Sequence, residues 1–183
     1  TDEELYRLLD ALDNCRSRVV ADIIRLLLLT GARRSEVSGL RWEELDLERG
    51  FWTLPAERNK TKKEKIIPLS EESLELLKSR EGCNPEFVFS NPETGKPIQF
   101  FHRTWDRIRK AAGIPDVKIH TLRHSVASWL INSGRSLYEV KELLGHADIS
   151  TTQRYAHLTQ DTLKYATEIV GHRVGEWKVK NGQ

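Results

Sequence analysis

His120-Thr121-Leu122-Arg123-His124, followed by Leu144-Gly145-His146 and then by Thr151-Thr152-Gln153-Arg154-Tyr155, is the stretch on which the reading of this chain turns. Histidine, arginine and tyrosine fall there at short, definite spacings. Upstream, Thr30-Gly31-Ala32-Arg33-Arg34-Ser35-Glu36 places another arginine just past a glycine break, and Lys60 stands in a basic segment between the two. Arginines, imidazoles and a lysine can hold one phosphodiester and move its protons. A tyrosine hydroxyl can attack that phosphate without a metal.

The 183 residues are enough for one ordinary domain, and a 38% hydrophobic, 31% charged composition gives it a core rather than a disordered chain. The longest apolar run, Leu26 to Leu29, is extended by Ile23 and Ile24 but broken by Arg25, far short of a membrane span. The opening Thr1-Asp2-Glu3-Glu4 is acidic, unlike a targeting segment, and the absence of methionine reads as a fragment cut from a longer protein. Cys15 and Cys83, far apart and in no metal-like spacing, read as free thiols of a reducing cytoplasm.

A net charge of +2 does not argue for nucleic acid by itself, but its distribution is uneven. Residues 51–125 hold 14 basic and 10 acidic side chains, against 8 and 11 in residues 1–50. Arg58, Lys60, Lys62, Lys63 and Lys65 fall within eight positions, a candidate phosphate-contacting patch and equally a candidate solvated turn.

Periodicity predicts a mainly α fold with a small antiparallel β-sheet. Residues 1–12 form a helix opened by a Thr1/Glu4 capping box, and residues 17–30 a buried helix that Gly31 ends. A short helix follows over 35–40. The period then changes to strands over 44–47, 51–54 and 65–69, the last closed by Pro68. Helices are expected over 70–80, from Phe101 to Ala112, over 121–133, from a Ser136/Glu139 capping box to Leu144, and over 159–170. The tail from 172 to 183 is polar apart from Val174, Trp177 and Val179.

The chemistry these side chains support is phosphoryl transfer. A phosphodiester repels nucleophiles, so its non-bridging oxygens need cations and its leaving oxygen needs a proton. Arg33 and Arg123 suit the first task, since a planar guanidinium grips an oxyanion with two charge-assisted bonds and does not titrate. His120 and His146 can donate to phosphate oxygens or accept a proton near neutral pH. Tyr155 is the candidate nucleophile. Lys60 is the candidate acid for the departing oxygen, with Lys62, Lys63 and Lys65 competing for that role. His120 and His124 share a helical face, yet no further ligand stands at a zinc-like spacing, so no metal site is expected.

In its ordered motifs the chain resembles the catalytic domain of the tyrosine recombinases, the phage integrase family. The motifs are Thr-Gly-x-Arg with Ser-Glu after it, the basic hairpin ending in Ile67-Pro68-Leu69, His-x-Leu-Arg-His, Leu-Gly-His, and a tyrosine nine residues beyond that histidine. The resemblance implies the integrase catalytic fold over residues 1–171, with 172–183 a tail that is either mobile or exchanged with a neighbouring protomer, and an N-terminal DNA-clamping domain absent from this fragment. It implies site-specific DNA recombination through a 3′-phosphotyrosyl intermediate, without metal, ATP or any other cofactor. Arg33 and Arg123 would clamp the phosphate, His120 relay a proton, His146 bond a phosphate oxygen, Lys60 protonate the 5′-hydroxyl and Tyr155 attack, while Glu36 orients Arg33. Arg58, Lys62, Lys63 and Lys65 are the further DNA contacts. The implied partners are double-stranded DNA, three other copies in a homotetramer on paired sites (the isolated domain being a monomer) and accessory DNA-bending proteins. No membrane is implied, and the setting is the cytoplasm, at the nucleoid. A type IB topoisomerase and a catalytically silent DNA-binding or regulatory module are the alternatives.

Overall fold

The computed structural model describes residues 1–145. They form α1 (Asp2–Asp13), α2 (Arg18–Thr30), α3 (Arg34–Ser38), a 3-10 turn (Trp42–Glu44), β1 (Leu45–Asp46), β2 (Phe51–Leu54), β3 (Lys65–Pro68), α4 (Glu71–Lys78), α5 (His102–Ala111), α6 (Thr121–Asn132) and α7 (Leu137–Leu144). The α-helices and the small sheet are those the periodicity predicts, β2 at the expected bounds and the others trimmed or shifted by a residue or two, and the 3-10 turn is an addition to them. The expected helix over 159–170 and the tail over 172–183 lie outside the described residues. The structure divides into two compact units, Thr1–Val126 and Ala127–Gln183, and the boundary falls within α6.

In the first unit, α2 is the central rod. Val20, Ala21, Ile23, Ile24, Leu26 and Leu27 are all buried, so the helix is apolar around most of its circumference. α1, α3 and α4 pack against it, and α1 also meets α5. The Thr1/Glu4 capping box opens α1 as the sequence predicts, turning Leu8 and Leu12 inward.

The sheet has the order β1-β2-β3 and is antiparallel throughout. Register sets Trp52 against Ile67 and Leu54 against Lys65. Alternation along β3 buries Lys65 and Ile67 and exposes Ile66 and Pro68. Proline is tolerated because β3 is an edge strand with one unpaired side. The inner face of the sheet joins the core through Trp52, Leu54 and Ile67, all fully buried. The loop of residues 84–97, rich in Pro, Gly and Asn, is tied down by isolated bridges from Phe87 to Arg41 and from Ser90 to Pro97. In the second unit, Ser136 and Glu139 cap α7, Gly145 ends it in the left-handed conformation, and Val140 and Leu144 are buried.

Candidate functional site

The site begins with the end of α2. Gly31 takes φ 62° and ψ 12°, a left-handed cap that glycine reaches without Cβ strain. Its N–H donates to the Leu27 carbonyl at 2.9 Å. Thr30 Oγ1 donates to the Leu26 carbonyl at 2.6 Å and accepts from the Ala32 N–H at 3.2 Å, closing the turn from inside. The reversal leaves the Gly31 carbonyl as an acceptor pointing off the helix, and Arg123 Nη1 donates to it at 2.7 Å. Arg123 lies in the first turn of α6 and is only 6% exposed.

Two residues past the glycine, Arg33 is extended and serves as N-cap of α3. Glu36, one turn further, holds it twice. Its Oε2 accepts from the Arg33 backbone N–H at 2.8 Å and its Oε1 from Arg33 Nη1 at 2.7 Å. Glu36 is 2% exposed, whereas the Arg33 side chain keeps 24%. A buried carboxylate thus fixes a guanidinium that still reaches solvent. One glycine turn therefore anchors both arginines, one through its carbonyl and the other through the chain that leaves it.

Arg58 and Lys65, two of the expected DNA contacts, have inward partners or buried positions in the structure. The Arg58 guanidinium turns inward: Nη1 pairs with the Glu44 carboxylate and Nη2 donates to the Glu36 carbonyl at 2.8 Å. Glu44 is itself buried and accepts from Trp52 Nε1 at 3.1 Å. A Cβ on Gly39 would come within 2.8 Å of Arg58 Nη2, so the glycine makes room for this bridge. Arg58 ties α3 to the 3-10 turn through the Glu36 carbonyl and the Glu44 carboxylate. Arg58→Met should therefore cost about 3–5 kcal/mol, because a buried carboxylate loses its counter-charge. Denaturant unfolding measures this, and unchanged stability with a lower salt slope of DNA binding would return Arg58 to the surface role.

Lys65 is 7% exposed on the inner side of β3, within the field of Glu36, Arg33 and Arg123. Burial lowers its pKa from 10.5 to about 8; Arg123 and Arg33 push the same way and Glu36 opposes them. Between those two values the unfolded chain binds more protons than the folded one, so native stability rises with pH from about 8 to 10.5. Below pH 8 the buried charge is a cost in full. Lys65→Met should raise stability at neutral pH by on the order of 2–3 kcal/mol, a gain that fades towards pH 10.5 in urea unfolding at several pH values.

Lys60, Lys62 and Lys63 are exposed on the turn between β2 and β3. The turn owes its shape to Asn59, whose Nδ2 donates to the Lys63 carbonyl at 2.6 Å and whose Oδ1 accepts from the Thr61 N–H at 3.2 Å. Lys62 takes φ 55° within it. Nothing in the sequence marks Glu44, and the only local sign of Asn59 is an uncharged amide at the head of a lysine run. His120 precedes α6 and is exposed, its ring meeting that of His124 edge to face with centroids 4.9 Å apart. Among the described residues no three His, Cys, Asp or Glu side chains are grouped to hold a metal ion. His146 and Tyr155 lie outside the described residues.

The buried Glu36 carboxylate holds Arg33, and Arg123 of α6 is bonded to the carbonyl of the glycine turn that leads into Arg33. The sequence model of the phage integrase family matches residues 1–162, and the chain belongs to that family. It is 36% identical over 176 residues to the tyrosine recombinase XerD of Listeria monocytogenes serotype 4b (strain F2365), covering 88% of this chain and 58% of that protein. The chain thus spans little more than half the length of that relative. Among solved structures, the catalytic domain of bacteriophage HP1 integrase superposes with a TM-score of 0.72 at 28% identity, covering 92% of each chain. The XerH site-specific recombinase, solved bound to its difH substrate before cleavage, gives a TM-score of 0.73 at 28% identity over 92% of this chain and 53% of that one. The seven helices and three-stranded sheet of the described residues are those of an integrase catalytic domain.

Proposed function

We propose that this chain is the catalytic part of a site-specific DNA recombinase that cuts and rejoins strands through a covalent bond to Tyr155. The observation that carries the reading is the joint anchoring of Arg33 and Arg123 on the Gly31 turn, with Glu36 locking the first. Two guanidinium groups so placed would bind the non-bridging oxygens of one phosphodiester and stabilise the charge that builds on them. The Tyr155 oxygen attacks phosphorus and gives its proton to His120. The bond from phosphorus to the 5′-oxygen breaks, and Lys60 supplies the proton that the leaving hydroxyl takes. His146 donates to a phosphate oxygen. The phosphotyrosyl ester keeps the energy of the broken linkage, so a 5′-hydroxyl of another strand reverses the step and completes exchange.

Lys62 and Lys63, exposed beside Lys60, would contact the backbone of the duplex and give binding a steep salt dependence. XerH, a site-specific recombinase solved bound to its difH substrate, supports DNA as the partner in this reading. The working assembly in this reading is a tetramer on two sites, with the tail over 172–183 exchanged between protomers and bending proteins assisting. Among the described residues no helix is long and apolar enough to cross a membrane.

The test is chemical. A nicked duplex releases a short fragment on cleavage and so traps the intermediate. The chain should then carry DNA through heat and denaturant, and peptide mapping should find the strand on Tyr155. DNA binding without any adduct would favour the silent binding module, and relaxation of supercoils without strand exchange would favour topoisomerase action.

A further inference from the structure

Of the four lysines in residues 60–65, three are exposed and Lys65 is buried. It stands on the face of β3 that it shares with Ile67, and its register partner is Leu54, a fully buried core residue. Such a position ordinarily carries an apolar side chain, because a buried ammonium loses its hydration. The charged groups around this one are those of the site: Glu36 on α3, Arg33 at its N-cap and Arg123 on α6.

We infer that Lys65 is a positioning residue of the phosphate pocket, adding positive charge from the sheet side and acting through Glu36 and the two arginines. The inference rests on the recombinase reading given under Proposed function. A charge on the exposed turn is screened by water and salt, whereas one within the protein acts on its neighbours through a lower effective dielectric. The ammonium strengthens the field in which Arg33 and Arg123 receive an anion, and it offsets the Glu36 carboxylate that would otherwise weaken that field. An incoming phosphodiester in turn favours the protonated lysine. With a pKa lowered to about 8, the amine loses its charge within the range where cleavage is measured, and Glu36, Arg33 and Arg123 are the charged groups that face it.

Strands captured from a pool of nicked duplexes, randomised around the nick, supply the substrate. Single-turnover adduct formation at saturating DNA is then followed for wild type, Lys65→Met and Lys65→Arg from about pH 6.5 to about pH 9.5. Lys65→Met should slow adduct formation about tenfold to thirtyfold at neutral pH with little change in DNA affinity, the size expected of a charge near but not on the reacting phosphate. Lys65→Arg should restore most of the rate. The wild-type rate should fall as pH rises above about 8, at a pH that the bound phosphodiester moves upward, and that limb should be missing in both variants. Lys65→Met running at the wild-type rate across the range would overturn the inference. So would a slow Lys65→Met that keeps the wild-type limb, since the loss would then be structural. Wild type that binds DNA but never forms an adduct would bring down the recombinase reading itself, an outcome distinct from either.

Discussion

Arg123→Lys should lower the rate of covalent attachment to DNA by about a hundredfold to a thousandfold, the usual effect of removing one preorganised donor from a developing oxyanion. The guanidinium of Arg123 is buried, and one of its nitrogens is already committed to the Gly31 carbonyl. That bond fixes the plane of the fork, which lets the group present parallel donors to an anion. Lysine keeps the charge but loses the plane: its ammonium would bond the carbonyl or reach for the phosphate, not both. The fold should survive, since the substitution leaves the core of the first unit untouched. Single-turnover kinetics on a nicked duplex, with a melting curve as control, measures both. A rate near that of wild type would remove Arg123 from the list of phosphate ligands.

Tyr155→Phe should abolish the adduct altogether while leaving DNA affinity close to that of wild type. In the proposed reaction the substitution deletes the one oxygen that would form the new bond to phosphorus, and no amount of electrostatic stabilisation substitutes for a missing nucleophile. In the same reading the phosphate contacts of Arg33, Arg123 and the hairpin lysines would supply binding and be unaffected. Gel separation under denaturing conditions reads the adduct, and filter binding under native conditions reads affinity. An adduct that persists in the variant would move the nucleophile to another side chain.

The helices were legible because their ends are written in local chemistry. Thr1 with Glu4, Ser136 with Glu139, and the left-handed stops at Gly31 and Gly145 all act within one turn of chain. The pairing of Glu36 with Arg33 was legible for the same reason, three residues being one turn. The inward Lys65 was not. Ile66 and Ile67 are both apolar, so alternation alone could not say which phase of β3 faces the core, and a lysine within a basic run reads as solvated by default. Arg58 was hidden by distance along the chain: its partner Glu44 lies 14 residues away on another element, and only the folded sheet brings them together.

The bond between Arg123 and the Gly31 carbonyl joins residues 92 positions apart. At ordinary translation speeds that separation is roughly 5–20 seconds of synthesis. A growing polypeptide can complete its central rod and its hairpin well before the second guanidinium leaves the ribosome. Truncated translation products ending before residue 123 therefore lack the paired anchoring of the two guanidinium groups on the glycine turn.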